Sequence, residues 1–270
     1  MIAAIVAEYR KYFSTRMWWV MLLIAFGYLA LISAGMAFLF DFALDQAEFG
    51  EIISSLFELA PVIYSMAASI GYLFPLLVGV VSVTTEYRNQ TITPTFLAEP
   101  RRWVVLLAKL ISSVSLGLVY GVVSVLGCVL AGGGTLKLLG YPMALGQSET
   151  WEMIGRSVLA LVIWTIVGVG AGVLLKNQIA AIIVILAIVQ FIEPMLQMIP
   201  AITGTSLKFL GYLPGAAGEA IVGGGMMTGM ASSGGDNIIL TMGGGISVLL
   251  AYGLICAVVG YFTTFRRDVS

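Results

Sequence analysis

The sequence predicts an all-α membrane protein: six transmembrane helices in a bundle, with a further helix lying in the interface before the first. Three observations carry that expectation. Only 10% of the 270 residues are charged and 60% are hydrophobic, against roughly 25% charged in a soluble domain. Six stretches are apolar over the length of about 20 residues that a hydrocarbon core demands. The basic residues between those stretches fall almost entirely on one side.

The six stretches are 17–40, 62–84, 104–130, 157–175, 179–199 and 238–262. With the N-terminus inside, Arg10, Lys11, Arg16, Arg88, Arg101, Arg102, Lys109, Lys176, Arg266 and Arg267 lie on the inner side, and only Lys137, Arg156 and Lys208 lie outside. Lysine and arginine are retained on the cytoplasmic side. Both termini are therefore expected in the cytoplasm. The apolar run after Arg16 is far longer than the about 7–15 residues of a signal-peptide core, so the first stretch is expected to stay as a span.

Composition also excludes. The net charge of −1 offers no field to draw nucleic acid. There is no histidine, which removes histidine-ligated metals, Ser–His and Cys–His nucleophiles and histidine proton relays. Cys128 and Cys256 both sit in apolar runs and are expected to be small buried residues, not a disulfide. Gly117 and Gly121 in span three, and Gly168, Gly170 and Gly172 in span four, have the spacing that lets membrane helices approach closely.

Two amphipathic pieces flank span one. Ile2, Ile5, Val6, Tyr9 and Phe13 recur at helical spacing while Glu8, Arg10 and Lys11 lie off that stripe. This predicts a helix lying apolar side down in the inner interface. It serves either as a membrane anchor or as an elbow bracing a cytoplasmic partner. Residues 48–60 show a similar stripe, with Pro61 ending the segment or bending it into span two, and predict an outer-surface helix.

The loop between spans two and three, 85–103, is the most informative segment. Thr93 suits a helix cap and Pro94 the first helical position, and Pro100 stops the helix. A very short cytoplasmic helix over 93–99 is expected, exposing Phe96 and Leu97 between charges. Exposed apolar residues on such a helix suit docking into a groove on another protein. A plain turn whose arginines hold phospholipid head groups is the other reading.

Within the membrane the deep acid is Glu193 in span five, at a cost of about 2.5–3.5 kcal/mol on insertion scales. Gln190, Glu193 and Gln197 share a helical face beside Pro194. Two readings stand open. These residues line a translocation pathway, or they form an interhelical hydrogen-bond cluster with Glu193 paired to Arg156. The outer segment 200–237 is glycine-rich and reads as a re-entrant or capping helical pair, or as a flexible loop.

At the loop, Glu86, Tyr87, Arg88, Thr91, Ile92, Leu97, Pro100, Arg101, Arg102 and Lys109 resemble the pattern of type-2 export permeases, the membrane subunits of ATP-binding-cassette (ABC) exporters. Glu8, Tyr9, Arg10, Lys11 and Trp18 resemble that family's elbow helix and the start of its first span. Tyr212-Leu213-Pro214 resembles its external segment, and Phe265-Arg266-Arg267-Asp268 its usual ending. Gln90 stands where many members have glycine. The resemblance implies a coupling helix over 91–99 that docks on a separate ATPase subunit, expected in two copies. Its docking residues would be Glu86, Arg88, Thr91, Ile92, Thr95, Phe96, Leu97, Glu99, Arg101 and Arg102. It also implies a second permease subunit, identical or homologous, in the cell membrane of a bacterium. The spans offer few charges to bind an ion or a sugar acid, so an apolar or amphipathic cargo is expected.

No Gly-x-x-x-x-Gly-Lys-[Ser/Thr] motif and no Gly-Lys dipeptide occur, so no phosphate-cradling loop is expected on this chain. ATP and magnesium would belong to the partner, and the chain itself is expected to hold no cofactor and no catalytic site. The rival readings are a stand-alone secondary transporter or channel, a membrane-embedded enzyme, and an anchoring protein that only binds partners.

Overall fold

The computed structural model describes residues 1–45, 58–203, 207–223 and 240–265, and the regular elements among them are all helical. Six helices are long and apolar enough to cross a membrane: Met17–Leu44, Leu59–Arg88, Arg102–Leu138, Ser148–Leu174, Gln178–Ile199 and Met242–Phe265. These are spans one to six. Each expected stretch lies largely within one of them, and most run beyond the predicted ends because helices continue past the apolar core at both surfaces.

Spans two and four form the centre. Each buries 72% of its most apolar window inside the protein, whereas spans one, five and six bury 22%, 17% and 22%. The outer helices therefore turn apolar side chains such as Leu31, Phe191 and Ile255 outward, as a lipid-facing surface requires. Between the central pair the approach is backbone to backbone. A Cβ on Gly168 would stand 2.2 Å from the carbonyl oxygen of Leu76, and one on Gly79 would stand 2.2 Å from that of Thr165. The glycine spacing of span four thus packs helices, as expected. Cys128 is buried and Cys256 half-buried, and neither is in a disulfide.

Spans three and six carry short π-helical stretches, Cys128–Gly132 and Tyr261–Phe265, and spans two and five depart further from a simple helix, each beside a proline. Span two, expected as one helix over 62–84, is two: Leu59–Ser69 and Leu73–Arg88, with residues 70–72 between them as turn. Pro75 has no amide to give the carbonyl of Gly71, and its ring crowds that carbonyl. The amide of Gly71 instead turns back to the Met66 carbonyl at 3.2 Å. In span five, Pro194 follows a π-helical turn, Ala187–Ile192, that widens the helix and lets it continue. Pro61, expected to end the outer segment or bend it into span two, stands in the first turn of span two, where a missing amide costs nothing.

Several expectations fall on residues that lie outside the described set. They are most of the outer helix at 48–60, residues 204–206 and 224–237 of the outer segment, the start of span six at 238, and the ending at Arg266, Arg267 and Asp268. The described part of the outer segment is a 3₁₀ turn, Lys208–Tyr212, then a helix, Pro214–Val222, with Pro214 at its first turn. That helix returns into the bundle: Ala217, Ile221 and Val222 are buried, and Ala217 presents its carbonyl to Gly245 of span six.

Candidate functional site

The end of the bundle that carries the N-terminus gathers the charged elements. The short helix is Ile92–Ala98, beginning earlier than the expected 93–99. Burial decides its start. Ile92 is 2% exposed and packs with Val83, Val169, Val173 and Phe265. Thr91, not Thr93, stands at the cap, without a side-chain cap bond. The turn before it places Gln90 at φ +56°, the left-handed region that glycine adopts without strain. Thr95 donates its hydroxyl to the Thr91 carbonyl at 2.9 Å.

The two apolar residues expected to be displayed go separate ways. Leu97 is 78% exposed, and Pro94 and Ala98 beside it are exposed as well. Phe96 is half-buried. Its ring meets Phe265 edge-on at 5.4 Å and lies under the Arg102 guanidinium at 5.0 Å. Arg102 also donates to the carbonyl of Phe265, which ties the loop to the end of span six. Glu99 and Arg101 pair with each other at 2.9 Å on the surface. Arg88 and Arg10 are exposed.

Behind the short helix lies a charge network joining four elements. Lys109 of span three is fully buried, and its Nζ donates to Glu8 Oε2 at 2.8 Å, Glu86 Oε1 at 2.7 Å and the Ser82 carbonyl at 3.0 Å. Lys11 Nζ donates to Glu8 Oε1 at 2.9 Å, Glu86 Oε1 at 2.7 Å and Thr95 Oγ1 at 3.3 Å. Two lysines thus balance two carboxylates, and the N-terminal helix, span two, the short helix and span three are cross-linked through one point. Glu86, expected at a docking face, is instead buried here, as is Ile92 nearby. Both hold the loop from behind.

The N-terminal helix, Ile2–Phe13, is oriented by that network. Glu8 turns to the protein, while Ile2, Val6 and Phe13 point outward, the arrangement expected of a helix with its apolar side in lipid. Tyr9 bonds Ser115 of span three. Tyr12 donates to Tyr120 at 2.7 Å, which donates on to the Trp18 carbonyl at 2.8 Å.

A second feature lies in the half of the bundle away from the N-terminus. A cavity of about 250 Å³ opens between spans two and five, each interrupted beside a proline, with Trp164 of span four and the Pro214–Val222 helix as its other walls. Gln190, Glu193 and Gln197 all line it, so the expected polar face is brought together. Glu193 is 2% exposed and does not pair with Arg156. Its oxygens accept from the amides of Gly215 at 2.8 Å and Ala216 at 2.6 Å, and from Gln197 Nε2 at 3.2 Å. A carboxylate on the first amides of a helix satisfies donors that would otherwise be orphaned and offsets the helix dipole. Arg156 pairs instead with Glu152, one turn away on its own helix.

Three cavity residues were not anticipated from the sequence as site residues. Tyr72 stacks on Trp164 with ring centroids 4.6 Å apart and donates to Gln190 Oε1 at 2.8 Å. Glu219, buried, accepts from the Ser69 hydroxyl at 3.2 Å. The signal for Tyr72 was Pro75, a helix breaker three residues on. Trp164 and Glu219 had none, because nothing local says which span a returning outer helix will meet.

No known protein-family model matches the chain, and no curated protein matches it. The resemblance to type-2 export permeases therefore rests on the motif residues.

Proposed function

We propose that this chain is the membrane-spanning permease subunit of an ATP-driven ABC exporter, moving an apolar or amphipathic substrate out of the cytoplasm with energy from a separate ATPase subunit. The observation that carries the reading is the short helix Ile92–Ala98. It shows Leu97, Pro94 and Ala98 outward while Lys11, Lys109, Glu8 and Glu86 lock its surroundings to spans two and three. A push on Leu97 would be passed to both spans and to the N-terminal helix as one body. Arg88, Glu99 and Arg101 border the exposed patch, and Thr91, Thr95 and Arg102 set its shape. On this reading the N-terminal helix is an interfacial elbow, both termini are cytoplasmic, and two permease subunits with two ATPase subunits form the working assembly. Bound ATP changes the ATPase, and the bundles alternate their access.

Co-purification tests the docking step. The chain is expressed with a candidate ABC ATPase subunit, and Leu97→Asp is expected to abolish the complex while the chain itself stays folded. If that variant still holds the ATPase, the short helix is not the dock. Transport in vesicles is expected only with ATP and the ATPase present.

One observation favours a different reading. A broken helix beside an intramembrane cavity with a buried carboxylate is the construction of many secondary transporters. Uptake by vesicles holding this chain alone, driven by an ion gradient, would select that reading.

A further inference from the structure

We infer that the cavity between spans two, four and five binds a small uncharged aromatic compound by its carbonyl group, as an aromatic amide or ketone would offer. The charges on its walls are already engaged. Glu193 accepts from the Gly215 and Ala216 amides and from Gln197, and Glu219 accepts from the Ser69 hydroxyl. No lysine or arginine lines the cavity among the described residues. A cation would have to draw these carboxylates from donors they already hold, and an anion would meet no opposite charge. Either would lose its water without a replacement, a cost that an uncharged ligand does not bear.

The walls suit a flat apolar body. Val62, Met66, Ile70 and Val189 supply apolar surface, and Trp164 with Tyr72 stacked on it supplies an aromatic wall for a ring to pack on. A dry cavity of about 150 Å³ holds benzene, so about 250 Å³ takes a single ring with a substituent. Gln190 then sets the substituent. Its Oε1 is fixed by the Tyr72 hydroxyl at 2.8 Å, and its side chain is exposed on the cavity wall. Both hydrogens of Nε2 remain without an acceptor among the described residues. A donor held in place on a mainly apolar wall is how ligand pockets orient an apolar molecule, and the group that answers it is a carbonyl oxygen.

The inference deepens the export reading and rests on it for physiological meaning, since it names the class of cargo.

The test uses the whole chain in lipid nanodiscs with no ATPase, so its outcome and that of Leu97→Asp are independent. Calorimetric titration, corrected against empty discs, compares benzamide with two planar analogues of similar size, cationic benzamidine and anionic benzoate. Saturable benzamide binding, about tenfold tighter than either charged analogue, is expected. Gln190→Leu removes the donor and is expected to weaken benzamide about fivefold, the effect of one hydrogen bond. No saturable benzamide binding by the wild-type chain overturns the inference, and so does a charged analogue that binds as tightly. Unchanged benzamide affinity in Gln190→Leu overturns it as well. If that variant does not fold, acetophenone is compared on the wild-type chain with α-methylstyrene, which replaces the carbonyl oxygen by a methylene group. A preference of about fivefold for acetophenone is then expected, and equal affinity overturns the inference.

Discussion

Lys109 shows how much one buried charge can organise. It is fully buried beside Glu8 and Glu86, and removing it leaves two buried carboxylates to share the single charge of half-exposed Lys11. Lys109→Met should therefore cost about 3–5 kcal/mol, read as a large drop in the thermal unfolding temperature of the purified chain. A drop no larger than that of an exposed control such as Lys137→Met would contradict the network. Lys11 is the half-exposed partner. Burial, its largest single influence, pulls its pKa down, and Glu8 and Glu86 together more than offset this, so the net value is raised. A raised folded value means that its contribution is complete below the unfolded value of about 10.4 and is lost only as pH rises through the folded one. The Lys11 share of stability should hold unchanged at neutral pH, a point that pH-dependent unfolding of Lys11→Met against wild type would check. Gln90 is the reverse case, a side chain where the backbone suits glycine. Gln90→Gly should be tolerated, and Gln90→Val should destabilise by about 1–2 kcal/mol.

Elements respond as units. Span two is divided by Pro75, and the turn at 70–72 places Ser69, Ile70 and Tyr72 on the cavity wall. Pro75→Ala removes the ring that crowds the Gly71 carbonyl, supplies an amide that can replace that of Phe74 as its donor, and lets the two halves join. Span two should straighten and swing Tyr72 away from Trp164, seen as a change in indole emission and a loss of the Tyr72–Gln190 contact. An unaltered spectrum would mean that packing, not the proline, sets the break. The short helix behaves differently. Seven residues cannot sustain a helix in isolation. Ile92 in its apolar nest and Phe96 against Phe265 hold it in place, and that anchoring lets Leu97 project from a firm base.

For the whole molecule, the charge asymmetry supports the proposed direction. The basic residues assigned to the inner side that the structure describes belong to the N-terminal end of the bundle: the Ile2–Phe13 helix and Arg16 after it, the loop around Ile92–Ala98, Lys109 behind that loop, and Lys176 over the Tyr87 ring. With the native cysteines replaced, a cysteine at Leu97 should react with an impermeant thiol reagent only from the cytoplasmic side, and one at Gln147 only from outside. The opposite pattern would reverse the proposed orientation and place the short helix where no ATPase could reach it.

Six spans, their order and the grouping of basic residues follow from composition and periodicity, because a bilayer demands length and apolarity of each helix separately. The face shared by Gln190, Glu193 and Gln197 was legible for the same reason, since it lies within one helix. Tertiary structure alone decided which groups meet. Glu193 finds the amides of Gly215 and Ala216 instead of Arg156, Glu86 turns inward to Lys109, and Trp164 closes a cavity begun by a break in span two. Each of these is a contact between distant segments. Partner choice there depends on how glycine-lined backbones nest and where a returning helix ends, and no local pattern records that geometry.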